Sequence, residues 1–272
     1  EMAMQLQRIR CFLLDMDGTV YLGNKLLPGA DAFISVLRRR GIEYLFLTNN
    51  SSRDKQAYAD KLAAMGIGVE SNQVLTSGEA TAIYLKAIKP GAKVFLLGTP
   101  ALAQEFSAYG FQLAGRDESP DFVVLGFDTT LTYQKLWDAC DLIREGTDYV
   151  ATHPDFNCPL EGGKYMPDAG AIIAFIEAST GCRPKVIGKP NKEIVEAALT
   201  RIHAGREEIA IVGDRLYTDI AMGQEAGLSS ILVLSGETRR EDLDESQFRP
   251  DYVFASLGDL AKTLEKDKRG GR

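Results

Sequence analysis

Histidine is nearly missing from this sequence: of 272 residues, only His153 and His203 carry an imidazole. That excludes a His-rich metal centre and leaves any Ser-His-Asp triad to rest on one of these two. Cysteine is scarce as well. Cys11, Cys140, Cys158 and Cys182 are scattered without a CxxC spacing, which argues against a zinc site or a disulfide frame and for reduced thiols in a cytoplasmic protein. No signal peptide and no apolar run of about 18 residues occurs, so neither secretion nor a membrane partner is expected. The sequons in Asn49-Asn50-Ser51-Ser52 then read as accidental. Positive charge is in deficit, with 31 Lys and Arg against 38 Asp and Glu, a net charge of -7. A nucleic-acid partner calls for a clustered basic surface and is not expected. A small anionic substrate stays allowed, because a local cation and one or two lysines can reverse the field inside a single cleft.

What is present is a repeated alternation of short apolar runs with helix-period segments. Cys11-Phe12-Leu13-Leu14 ends at Asp15, and Ala30 to Arg40 follows with Phe33, Val36 and Leu37 at helical spacing, stopped by Gly41. Tyr44 to Leu47 ends at Thr48 and precedes a helix over Arg53 to Met65. Val186-Ile187, Ile209 to Val212, Ser230 to Leu234 and Tyr252 to Phe254 continue the series. Short, continuously apolar strands between helices predict a doubly wound parallel sheet, an α/β fold covered on both faces. The middle repeats the pattern with strands at Val94 to Leu97, Phe122 to Leu125 and Tyr149 to Ala151, and helices near 100–109, 132–145 and 169–180. Deleting it leaves a complete α/β unit. The expected division is therefore a core of 1–77 and 183–272 with a smaller α/β domain, 78–182, inserted into it. The charged, Gly-rich end from Lys262 to Arg272 is expected to fray.

Ligands of an open parallel sheet bind beyond the carboxyl ends of its strands. There the sequence sets Asp15-Met16-Asp17-Gly18-Thr19, then Thr48-Asn49-Asn50-Ser51, then Gly188-Lys189-Pro190, then Gly213-Asp214-Arg215 with Thr218 and Asp219. Four core strands would thus deliver carboxylates, a hydroxyl with amides, and a lysine to one edge. Clustered carboxylates repel unless a divalent cation lies among them, and hard oxygen donors without His or Cys suit Mg²⁺. Lys189 and Thr48 with nearby amides would hold the other oxygens of a phosphoryl group. Phosphoryl transfer needs little beyond such positioning and charge neutralisation. A single Asp at a strand end is as well explained by a turn or a helix cap; four such clusters together are not.

Asp15-Met16-Asp17-Gly18-Thr19 resembles the DxDGT motif of the haloacid dehalogenase (HAD) superfamily, and the other three clusters resemble its later motifs in order and separation. The TNN and GKP triplets, the late Leu232-Val233-Leu234-Ser235-Gly236 and an insertion between the second and third motifs are similar to the NagD/p-nitrophenyl phosphatase branch, with its type IIA (C2) cap. The resemblance spans about residues 10–260. It implies a phosphatase in which Asp15 attacks phosphorus to form an aspartyl-phosphate and Asp17 acts as acid and then base. Mg²⁺ would be held by Asp15, the Asp17 carbonyl and Asp214, with Asp219 as ligand or through water. Thr48, Asn49 and Lys189 would bind the transferring oxygens. Dehalogenases of the superfamily lack the second Asp, so Asp17 favours phosphate esters over carbon–halogen bonds.

The resemblance implies that the inserted domain selects the substrate. Candidate contacts are His153 and Asp155 in Thr152-His153-Pro154-Asp155, and Asp168. The family usually has Asn at the first of these positions and a small residue at the last. A turn role for His153 and an N-cap role for Asp168 compete with substrate contact. His203 is expected on the surface of the helix after Lys189, and Glu237 to Glu245 as a solvated charged turn. Gly162-Gly163-Lys164-Tyr165 lacks the earlier Gly and the following Ser or Thr of a P-loop. The expected substrate is a small phosphorylated metabolite, such as a nucleotide, sugar phosphate or phosphoglycolate. A homodimer is compatible with the sequence. A phosphotransferase or mutase using the same Asp15, and a non-catalytic phosphate-binding regulator, are the alternatives. Asp17 speaks against the regulator, since binding alone needs no acid.

Overall fold

The computed structural model describes residues 6–266. The chain divides into two compact units. One gathers the residues up to Thr48, then Tyr58–Leu75, then the chain from Ala198; the other gathers Asn49–Ala57 and Thr76–Ala197.

The first unit is built on a six-stranded sheet. Its order is Tyr252–Phe254, Ser229–Val233, Ile209–Gly213, Cys11–Leu14, Glu43–Thr48, Val74–Thr76. Cys11–Leu14 lies at the centre, parallel to both neighbours, with Cys11 opposite Ile209 on one side and Glu43 on the other. All four of its residues are buried, as the continuous apolar run requires of a strand covered on both faces. The helix Ala30–Arg40 presents Phe33, Val36 and Leu37 inward and ends on Gly41, whose left-handed backbone (φ 64°) caps it. Phe12 and Phe33 meet edge to face, with ring centroids 5.4 Å apart. Each fully buried ring contributes about 2 kcal/mol by removing apolar area from water. The helix Leu257–Lys266 packs Leu257, Leu260 and Leu264 into the same core. The fraying expected from Lys262 onward is therefore not seen through Lys266; residues 267–272 lie outside the described residues.

The second unit has its own parallel sheet of five strands, in the order Lys185–Val186, Asp148–Ala151, Phe122–Leu125, Lys93–Leu97, Gln112–Leu113. Helices Pro100–Ala108, Tyr133–Arg144 and Ala169–Thr180 fall within a residue of their expected bounds. Three features correct the expectation. Val186-Ile187, expected in the core sheet, supplies instead the edge strand Lys185–Val186, which pairs with Val150 and Ala151 of this second sheet. The lysine that follows it is thus not delivered by a core strand. Second, the expected boundary between residues 77 and 78 falls inside a helix: Thr76-Ser77-Gly78 opens Ser77–Ile88, with the Thr76 hydroxyl accepting from the Glu79 amide. Third, Asn157–Leu160 and Lys164–Pro167 form an antiparallel hairpin that no strict alternation in the sequence announces. The grouping of the two units also differs from the expected boundaries, since Asn49–Ala57 and residues 183–197 go with the second unit.

Candidate active site

In the first unit, Asp15 stands where the central strand ends, its amide bonded to the Val212 carbonyl at 2.9 Å. The neighbouring strand ends at Gly213, so Asp214 follows at the same level. A π-helical turn, Leu216–Ile220, then brings Asp219 back. The carboxylates of Asp15, Asp214 and Asp219 converge, with one oxygen of each within 4.8 Å of the others, and all three are buried. Asp15 also accepts from the Thr19 hydroxyl at 3.3 Å, and Asp219 from the Arg215 amide at 3.3 Å. Asp214 accepts from the Glu237 amide at 2.7 Å through Oδ2, while no hydrogen-bond donor among the described residues reaches its buried Oδ1. Burial, and then the charges of Asp15 and Asp219, push the Asp214 carboxyl well above the usual carboxylate range.

Glycine makes this crowding geometrically feasible. Gly18 turns the chain back with φ 83°, and a Cβ there would lie 2.4 Å from Asp214 Oδ2. A Cβ on Gly236 would lie 1.9 Å from the same oxygen, and one on Gly213 would lie 2.1 Å from Asp219 Cγ. The segment carrying Gly236 is fastened on every side. Ser235 Oγ donates to the Gly18 carbonyl at 2.9 Å, and the Thr238 amide to the Asp214 carbonyl at 3.2 Å. The Glu237 carboxylate meets Arg215 Nε at 2.8 Å and the Tyr217 hydroxyl at 2.6 Å. The start of the expected solvated turn, Glu237 to Glu245, is therefore part of the acidic cluster's wall. Sequence reasoning used Ser235 and Gly236 only within the Leu232-Val233-Leu234-Ser235-Gly236 resemblance and gave them no role at the site. Asp17 lies half-buried beside the cluster in a tight turn in which the Gly18 amide bonds the Tyr21 carbonyl at 2.9 Å. Its carboxylate is not one of the three that converge. Thr48 is buried at the end of its strand.

The other expected residues lie in the second unit. Asn49 accepts from the Lys189 amide at 2.8 Å, and donates to the Lys189 carbonyl at 3.0 Å and to Asp155 Oδ1 at 3.1 Å. Both of its side-chain hydrogens are thereby used, so the Asn49 side chain holds protein groups, not phosphate. His153 is fully buried (0% exposed). One ring nitrogen lies 2.7 Å from Asp168 Oδ1, the other 2.7 Å from the Thr152 hydroxyl. The expected substrate contact by His153 is corrected on this ground: a side chain with no exposed surface and both nitrogens engaged cannot meet a leaving group. Asp168 caps the helix Ala169–Thr180 through the Ala169 amide, which is the N-cap alternative. His203 is exposed as expected, but in the loop beyond the helix Lys192–Leu199, paired with Glu43 at 2.6 Å.

Models of two families match the chain: a haloacid dehalogenase-like hydrolase over residues 12–112 and a HAD-hydrolase-like one over residues 186–260. An acid sugar phosphatase of Staphylococcus saprophyticus is 38% identical over 261 residues, 96% of this chain and 100% of that protein. Among solved structures, a 4-nitrophenylphosphatase from Thermotoga maritima is 50% identical with a TM-score of 0.91, covering 96% of this chain and 99% of its own. NagD from E. coli K-12 is 35% identical with a TM-score of 0.85, covering 92% and 98%. Among the described residues no helix is long and apolar enough to cross a membrane. With its DxDGT segment at the end of the central strand of a parallel sheet and such relatives along its length, the chain is an enzyme of the haloacid dehalogenase-like hydrolase family, in its branch of NagD-type phosphatases.

Proposed function

We propose that this protein hydrolyses a small phosphomonoester with Mg²⁺, through an aspartyl-phosphate on Asp15. The observation that carries the proposal is the buried trio Asp15, Asp214 and Asp219 with an Asp214 oxygen that no donor among the described residues meets. Three buried carboxylates in mutual repulsion cost several kcal/mol unless a cation lies among them. The donors are all hard oxygens, which fits Mg²⁺ rather than zinc. Asp15, Asp214 and the Asp17 carbonyl would hold it, with Asp219 as ligand or through water. The bound ion would supply charge neutralisation at the phosphoryl oxygens.

The rest falls to the chain's own residues. The Asp15 carboxylate attacks phosphorus and the ester P–O bond breaks, the leaving oxygen taking a proton from Asp17. Water then attacks the aspartyl-phosphate, giving its proton to Asp17 and releasing inorganic phosphate and free Asp15. Thr48 and Lys189 are assigned to the phosphoryl oxygens by their motifs. Among small phosphorylated metabolites, the acid sugar phosphatase relatives favour a sugar phosphate. Four cysteines scattered without a CxxC spacing suit a cytoplasmic setting. The test is Asp15→Asn, assayed for Mg²⁺-dependent phosphate release from p-nitrophenyl phosphate and a panel of sugar phosphates. Turnover should vanish. Undiminished turnover removes Asp15 as nucleophile, and a wild-type protein silent across the panel removes the hydrolytic reading.

A further inference from the structure

Asn49, Asp155 and His153 form a continuous polar frame within the second unit that ends on the Lys189 peptide. Asn49 treats that peptide as a strand treats its neighbour, accepting from its amide and donating to its carbonyl. The remaining Asn49 hydrogen goes to Asp155. Asp155 in turn is held through its carbonyl, which accepts from the Gly170 amide at 2.7 Å at the start of the helix that Asp168 caps. His153 bonds Asp168, and the Thr152 hydroxyl donates to Ser51 Oγ at 2.9 Å, so the 152–155 segment is held at Thr152, His153 and Asp155. The Thr152 carbonyl accepts from the Gly188 amide at 2.7 Å, next to Lys189. There is no slack in the join. A Cβ on Gly188 would lie 2.6 Å from the Thr152 carbonyl oxygen and 2.7 Å from Asn49 Oδ1.

We infer that Asn49 is a positioning residue for Lys189, oriented through Asp155 on a segment that His153 and Asp168 brace. The inference rests on the reading of Lys189 as a phosphate-holding residue. Its physical basis is that a lysine on a flexible stem fixes an oxygen well only if its own backbone cannot shift. A displacement of about 1 Å in such a group costs on the order of 10²-fold in rate. A buried amide that bonds both the N–H and the C=O of one residue sets that residue's position and plane together.

The experiment measures kcat, KM and inhibition by inorganic phosphate, with p-nitrophenyl phosphate as substrate. Wild type, Lys189→Ala, Asn49→Asp and the exchanged pair Asn49→Asp with Asp155→Asn are compared. Mg²⁺-induced thermal stabilisation is read in parallel as a measure that does not depend on turnover. Asn49→Asp keeps an acceptor for the Lys189 amide but loses the donors and sets two carboxylates together. It should weaken phosphate inhibition and kcat/KM by about 10–100-fold, with the Mg²⁺ response retained. The exchanged pair restores a donor and an acceptor between positions 49 and 155 and should recover about tenfold of the loss. Phosphate inhibition within twofold of wild type in Asn49→Asp, or no recovery in a folded exchanged pair, overturns the inference. If Asn49→Asp does not fold, the exchanged pair alone decides it: activity comparable to Lys189→Ala counts against positioning. An unaffected Lys189→Ala would instead overturn the phosphate-holding reading beneath it.

Discussion

The protein holds two clusters of similar make-up whose polar atoms are differently satisfied. Asp15, Asp214 and Asp219 converge in the first unit; His153, Asp155 and Asp168 converge in the second, their ligand-type atoms equally within 4.8 Å. In the second cluster each carboxylate meets a donor: Asp168 has His153 and the Ala169 amide, and Asp155 has Asn49. In the first, Asp214 Oδ1 meets none among the described residues, and two acidic neighbours crowd it. Proximity of potential ligands is therefore a poor indicator of a metal. The excess of negative charge over donors is the better one, because buried charge must be compensated by something.

This contrast can be broken experimentally. The largest effect is expected from Asp214→Asn. Wild-type protein should gain about 2.7 kcal/mol of stability with Mg²⁺ at 100 times its dissociation constant, and the variant should gain almost nothing; calorimetric melting with and without Mg²⁺ measures both. An undiminished gain would mean that the cation sits elsewhere. Gly236→Ala should come next. Its methyl group would press on Asp214 Oδ2, so Mg²⁺ affinity by titration should fall by about 10–100-fold, as for other supports of metal ligands. His153→Ala should leave the Mg²⁺ response at wild-type strength. It strips a buried carboxylate of one of its two partners, and chemical denaturation should report a loss of about 1–3 kcal/mol. A changed Mg²⁺ affinity in that variant would erase the distinction between the clusters.

Much of this was legible in the residues, and the exceptions have physical reasons. Asp15 and Asp214 were marked by continuous apolar runs ending in acids, since burial on both faces leaves a strand no other place for polarity. Gly41 marked its helix end for an equally local reason. Lys185–Val186 was misplaced because two apolar residues do not specify which sheet they join; that is decided by partners distant in sequence. The helix Ser77–Ile88 was hidden by Gly78, although Thr76 followed three residues later by Glu79 is an N-terminal capping pattern. The buried state of His153 was beyond reach, because its partners Asp168 and Ser77 come from different segments. The close fit of Gly236 against Asp214 depends on the folded path of the chain, which no spacing rule encodes.

The central position of Cys11–Leu14 also bears on how the protein is made. Cys11 pairs with Ile209, so this strand waits until Ile209–Gly213 has been synthesised before one of its two neighbours exists. The second unit is drawn mostly from one continuous stretch, Thr76–Ala197, and can close its sheet while synthesis continues. Long-range parallel pairing is slow in any case. During translation, the strand that ends at Asp15 therefore spends a long interval with an unpaired apolar edge, and is a segment in need of protection from aggregation.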